Sequence, residues 1–97
     1  MAQIIWSPRA LEDLAGILDY IERDSAFYAR LFGEKLLDII EFAAKNPLLG
    51  AVVQEYNISS LRERILQNYR IVYRVQGDQI ELVTICHAAR VLRIESD

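Results

Sequence analysis

Residues 61–90, LRERILQNYRIVYRVQGDQIELVTICHAAR, constrain this chain more than any other stretch. Tyr69, Ile71, Tyr73 and Val75 alternate with Arg70, Val72 and Arg74, the period of two that marks a half-buried strand. Gly77-Asp78 then separates this run from a second one, where a two-residue hairpin turn belongs. Centring the turn on those two residues sets Arg74 opposite Glu81, Tyr73 opposite Leu82, Val72 opposite Val83 and Ile71 opposite Thr84. Continued inward, the same register sets Arg70 opposite Ile85, Tyr69 opposite Cys86 and Asn68 opposite His87. Arg62-Glu63-Arg64-Ile65-Leu66 alternates as well and supplies a preceding strand, with Arg62 and Arg64 on one face. The pattern predicts three consecutive strands with one oily, aromatic face. It predicts a second face bearing Arg70, Arg74 and His87 and open to a partner.

An oily sheet face needs helices against it, and the first half of the chain provides them. Ser7-Pro8 is a helix start, with Ser as N-cap and Pro at the first helical position. Leu11, Leu14, Leu18 and Ile21 recur at helical spacing, with Ala10 and Ile17 alongside, and the helix should end near Arg23. Asp24-Ser25 breaks and recaps the chain. A second helix follows from about Ala26 to Lys45, with Phe32, Leu36, Ile39, Ile40 and Ala43 on its stripe. Asn46-Pro47 stops it, because the residue before a proline disfavours the helical region. So short a connection makes the two helices antiparallel. Gln3 to Trp6 reads as an added edge strand. Residues 48–50 read as a turn and 51–60 as a connection with little periodicity. Residues 91–97 read as either a half-strand or a loose end. The expected fold is α+β, in the order β-α-α-β-β-β, with the helical hairpin on one face of a small, mainly antiparallel sheet.

Ninety-seven residues make one domain, residues 1–97, with a single modest core. The net charge of −3 hides an asymmetry. The helical half is acidic, whereas residues 61–93 hold six arginines against three acids. Arginine forks suit phosphates or carboxylates, yet the overall charge opposes indiscriminate nucleic-acid binding, so any basic site is local. No apolar run reaches the roughly 18 residues of a membrane span. The first ten residues lack a signal-peptide pattern, so the expected compartment is the cytoplasm. Cys86, the lone cysteine, reads as a buried apolar residue. One His and one Cys give no metal-ligand cluster, and there is no nucleotide fingerprint, so neither metal nor cofactor is expected.

Several segments together resemble toxins of the RelE/ParE superfamily: W-S-P-x-A-L-x-D-L (Trp6 to Leu14), N-P-x-x-G (Asn46 to Gly50), L-R-E-R (Leu61 to Arg64) and N-Y-R-I-V-Y-R-V (Asn68 to Val75). The closing H-A-A-R, His87 to Arg90, resembles the H-x-x-R of the ParE-like branch. The resemblance implies the toxin of a type II toxin–antitoxin operon, held inactive by a cognate antitoxin that itself contacts operator DNA. ParE-like members poison DNA gyrase, which the H-A-A-R close favours here, with Arg62, Arg64, Arg70 and Arg90 as target-binding residues. RelE-like members cut messenger RNA in the ribosomal A site. For that alternative Arg70, His87 and Arg90 are the catalytic candidates, with Glu55 or Glu63 as an acid partner for His87. No Tyr follows Tyr73, so the usual late tyrosine of that branch is missing. A third alternative is a degenerate toxin that only binds its antitoxin and helps to regulate the operon. Phe27, Tyr28 and Leu31 lie off the main stripe of the second helix. They are expected to border an apolar groove, between hairpin and sheet, that receives the antitoxin.

Overall fold

The computed structural model describes residues 1–94. Strand β1 (Gln3–Trp6) leads into helix α1 (Pro8–Glu22) and helix α2 (Ala26–Lys45). A 3-10 turn (Pro47–Leu49) and the two-residue strand β2 (Ala51–Val52) follow, then β3 (Leu61–Leu66), β4 (Tyr69–Gln76) and β5 (Gln79–His87). The five strands lie in the order β1-β5-β4-β3-β2, with β1 parallel to β5 and the other pairs antiparallel. The fold is α+β as expected. Strand β2 is an addition, lying inside the stretch read as unpatterned connection.

Both helices begin where their caps dictate. The Ser7 hydroxyl accepts the Ala10 N–H at 3.0 Å, and the Ser25 hydroxyl accepts the Tyr28 N–H at 3.1 Å. Phe32, Leu36, Ile40 and Ala43 of α2 are buried against Ile71, Tyr73, Leu82 and Ile85 of the sheet. On α1 the buried line is Ala10 and Ile17, flanked by half-buried Leu14, Leu18 and Ile21. Leu11, read as part of that stripe, is 52% exposed. The true stripe is centred on Ala10, whose small side chain lets the helix start approach the sheet.

The N-P-x-x-G segment closes tightly. Tyr73 Oη donates to the Pro47 carbonyl at 2.6 Å, and Arg62 Nη1 donates to the carbonyls of Leu48 and Gly50 at 3.0 and 3.1 Å. A Cβ at Gly50 would run into Tyr73 Oη and lie 3.1 Å from the Glu63 carbonyl oxygen, so only glycine lets the chain pass there.

The β4–β5 hairpin turns at Gly77-Asp78 as predicted, with Gly77 at φ 58° and Gln76 opposite Gln79. The register also holds from Arg74↔Glu81 to Tyr73↔Leu82. It then breaks. A bulge leaves Val83 without a partner, and beyond it Val72 faces Thr84, Ile71 faces Ile85, Arg70 faces Cys86 and Tyr69 faces His87. The expected pairing of Arg70 with Ile85 and of Asn68 with His87 is therefore wrong by one residue. The cause lies in α1. Asp13 Oδ2 accepts the Thr84 hydroxyl at 2.5 Å and the Ile85 N–H at 3.0 Å, while Ser7 donates its hydroxyl to the Val83 carbonyl at 2.9 Å. The two polar residues of W-S-P-x-A-L-x-D-L thus staple the helix to an irregular β5, which re-aims the side chains after the extra residue.

The second face is not an open basic surface. Val53, Leu61, Val72, Val83, Cys86 and Leu92 form a smaller apolar cluster there, with Tyr56 and Ile94 against it. Residues 53–60 and the C-terminal strap, residues 91–94, cover it. The strap is neither a strand nor loose: Leu92 is buried, and the Ile94 N–H donates to Tyr56 Oη at 2.6 Å. Residues 95–97 of the tail lie outside the described residues. Cys86 is buried in this cluster, and burial pushes its thiol pKa up.

Candidate functional site

A shallow groove of about 580 Å³ lies on the second face, where the H-A-A-R segment leaves the sheet. Its charged residues are Glu55, Glu63, Arg70 and Arg90, and Val52, Ile65 and Val91 give it an apolar rim. β4 aims Arg70 into it, β3 supplies Glu63 and the irregular segment after β2 supplies Glu55.

Arg70 is 6% exposed and every one of its five N–H groups is used. Nε donates to Glu63 Oε1 at 2.7 Å, and one Nη2 hydrogen to Glu63 Oε2 at 3.1 Å. Nη1 and Nη2 donate to the two oxygens of Glu55 at 2.6 and 2.9 Å. The second Nη1 hydrogen reaches the Arg90 carbonyl at 3.1 Å. Two forked carboxylates clamp one guanidinium, the strongest geometry this side chain makes. Glu55 Oε2 also accepts the Leu92 N–H at 2.9 Å, so the cluster ties the C-terminal strap to the sheet.

Arg70 holds the Glu55 carboxyl down at a pKa of about 2, helped by the Leu92 N–H, and the two carboxylates push the Arg70 pKa up. A carboxyl whose pKa falls on folding stabilises the fold above its unfolded value, about 4.5. That stability is lost as pH drops through 4.5 toward 2. Urea midpoints are expected to decline over this window. The loss from Glu55 is about 1–2 kcal/mol, because its side chain keeps 23% of its exposure and water screens it. Glu55→Gln should start lower at pH 7 and show a flatter acid limb, and an unaltered limb would refute the assignment.

Arg90 lines the groove with Arg70, but Arg62, Arg64 and Arg74 do not. Arg62 and Arg64 pair with Tyr73 and Ile71, so they share the helix face, opposite to Arg70. Arg62 is spent on the carbonyls of Leu48, Gly50 and Ser59. Arg64 lies 5.3 Å from the centroid of the Phe42 ring. Arg74 stands 3.9 Å from Glu81, the expected cross-strand pair, which at its exposure contributes at most a few tenths of a kcal/mol. Among the described residues, the exposed Arg90 guanidinium makes no hydrogen bond or ion pair.

His87 does not share a face with Arg70, contrary to the expectation from sequence. The bulge turns it toward the helix side, opposite Tyr69, with ring centroids 5.9 Å apart and edge to face. Its Nδ1 accepts the Ala89 N–H at 3.2 Å, which leaves Nε2 to carry the proton of the neutral ring. Neither Glu55 nor Glu63 is its acid partner, since both are committed to Arg70. Glu55 and Glu63 were legible only as acids near the hairpin; nothing in their spacing announced a shared guanidinium.

Phe27 and Tyr28 are each 63% exposed at the start of α2 and contact each other edge to face, centroids 5.5 Å apart. Leu31 is half-buried behind them. They form a ridge at the tip of the hairpin.

Comparison with known proteins adds to this geometry. Residues 4–92 match the model of the family described as the ParE toxin of the type II toxin–antitoxin system parDE. Toxin RelE2 of Caulobacter vibrioides is 35% identical over 92 residues, covering 94% of this chain and all of that protein. A structure of the chromosomal ParDE system from P. aeruginosa superposes with a TM-score of 0.72 at 20% identity, covering 90% of this chain and 96% of that one. The YoeB/ParE toxin from Agrobacterium tumefaciens superposes with a TM-score of 0.61 at 21% identity, covering 88% and 96%. At such identities the superpositions speak for the fold, whereas the family match and the Caulobacter relative speak for descent. A hairpin stapled to a bulged five-stranded sheet, carrying these motifs in this order, belongs to the ParE toxin family within the RelE/ParE superfamily of type II toxin–antitoxin systems.

Proposed function

We propose that this toxin arrests growth by binding a protein target, DNA gyrase, in the ParE manner, and performs no RNA chemistry of its own. The observation that carries the reading is the state of Arg70. Cleavage of RNA needs uncommitted positive charge at the scissile phosphate and a group that moves the 2′-hydroxyl proton. Here the groove sets two carboxylates against two guanidiniums, and the buried guanidinium donates all five N–H groups internally. Its Glu55 carboxylate, with a pKa near 2, is too weak a base to take that proton. His87 faces the other way. The ParE family match supports the same branch. What the groove offers instead is an apolar rim of Val52, Ile65 and Val91 with Arg90 beside it, a surface suited to a protein. Of the four arginines singled out in the sequence, Arg64 and Arg90 make no hydrogen bond or ion pair among the described residues, and of these two it is Arg90 that borders the groove. Neutralisation by a cognate antitoxin follows from family membership.

The alternative, a ribosome-dependent mRNA endonuclease, draws on His87 and Arg90 being exposed at one strand end. One pair of assays separates the readings. Purified toxin should inhibit gyrase supercoiling and leave ribosome-bound mRNA intact. His87→Ala should retain growth arrest within about twofold, whereas Arg90→Glu should weaken it about tenfold or more by disturbing partner registration. Ribosomal A-site mRNA ends that appear with wild type and fall by about 10²–10³ with His87→Ala would overturn the proposal.

A further inference from the structure

A second cleft, of about 970 Å³, opens on the same sheet face toward the Gly77-Asp78 end. It lies between the start of α1, strands β4 and β5, and the C-terminal strap. Arg9, Arg74 and Arg93 converge on it, and among the described residues Glu81 is the one acid that lines it. Glu81 only loosely engages Arg74, at 3.9 Å. Arg9 donates through Nη1 to the Arg93 carbonyl at 2.9 Å, which leaves most of its fork unspent. The Arg93 guanidinium makes no hydrogen bond or ion pair among the described residues. Between these charges the lining is apolar: Pro8, Val83 and Ile94, with the Tyr56 side chain. A chain of net charge −3 thus gathers three cations over a half-apolar cleft, and among the described residues they are engaged only by one Arg9 contact and the loose Arg74–Glu81 pair.

We propose that this cleft seats an acidic, partly apolar segment of the cognate antitoxin. It would be a docking point separate from the hairpin tip. Guanidinium forks match carboxylates in pairs, and the apolar lining takes the side chains between them. A nucleic-acid strand fits less well. The chain's net negative charge repels a polyanion over its length, Glu81 intrudes on the phosphate path, and among the described residues Tyr56 is the one aromatic lining the cleft. The proposal rests on the antitoxin partnership of the family and is independent of whether gyrase or the ribosome is the target.

The test measures association of purified toxin with the antitoxin encoded beside it, across a salt series. Arg9→Glu/Arg93→Glu should slow association at low salt by about tenfold or more and flatten its salt dependence, as loss of electrostatic steering requires. Arg93→Glu alone, which breaks no internal contact of the described residues, should give a smaller change of the same sign with an unchanged melting temperature. Removing the hairpin aromatics with Phe27→Ala/Tyr28→Ala should weaken binding while leaving the salt dependence in place. Unchanged rates and salt dependence in both charge variants would overturn the proposal. So would loss of affinity for a short single-stranded RNA with antitoxin binding intact. A wild-type toxin that forms no complex would overturn the antitoxin reading itself, an outcome distinct from failure of the cleft alone.

Discussion

Arg70→Met is expected to destabilise the toxin by about 3 kcal/mol, because it leaves two carboxylates facing each other without their shared cation. The side chain of Arg70 is 8% exposed, and those of Glu63 and Glu55 are 13% and 23% exposed. Partial water access to Glu55 keeps the loss toward the lower end for a broken buried pair. Against the roughly 5–15 kcal/mol of a typical domain, this is a large share. Two further contacts go with it, since Arg70 holds the Arg90 carbonyl and positions Glu55 for the Leu92 N–H. The strap, residues 91–94, should therefore exchange its amide hydrogens faster in the variant. Arg70→Lys should fail nearly as badly, because an ammonium cannot fork into two carboxylates at once. Replacing the trio together, with Glu55→Met/Glu63→Met/Arg70→Leu, should recover much of the loss, because no unpaired charge is left behind. The measurement is chemical denaturation of all four proteins. A stable Arg70→Met protein that no longer arrests growth would mean that the guanidinium serves function and not the fold.

Phe27→Ala/Tyr28→Ala is expected to weaken the antitoxin complex by about 10²–10³-fold while leaving the toxin folded. Aromatic anchors commonly contribute about 2 kcal/mol or more each at a protein interface. Here two of them stand 63% exposed, braced against one another at 5.5 Å, with half-buried Leu31 behind. Tyr20, near the end of α1, is also 64% exposed. The expected effect rests on our proposal that these exposed aromatics are a partner surface, as contiguous exposed apolar patches often are. Substitutions at such exposed positions cost the fold within about 0.5 kcal/mol, so thermal melting should hardly move. Calorimetry with the cognate antitoxin reads the affinity, and co-expression reads the consequence: the antitoxin should no longer rescue growth. An unchanged dissociation constant would remove the hairpin tip from the interface.

Much of this fold is legible because its determinants are local. Ser7-Pro8, Ser25 and Asn46-Pro47 bound the helices within a residue or two, since caps and breakers act on their own turns. Gly77-Asp78 and the alternation beside it set the hairpin and its first pairs, since turn geometry fixes register nearby. The resemblance, spread over Trp6 to Arg90, led to the family, because motifs of this kind are strings of such local devices.

The site was less legible, because tertiary contacts decided it. Asp13 claims the hydroxyl of Thr84 and the amide of Ile85 from 71 and 72 residues away, and the bulge it stabilises flips everything after Val83. His87 thereby leaves the face of Arg70, which no periodicity within β5 could signal. The partners of Arg70 come from β3 and from an irregular segment 15 residues upstream. A run of arginines on alternate positions looks the same whether its charges are buried and paired or offered to a partner. Local sequence determined where helices and strands form, because capping and alternation act within a few residues. The packing of α1 and of residues 51–60 against the sheet decided which arginines are spent in internal contacts, because only desolvated contacts between distant segments select one pairing of charges over another.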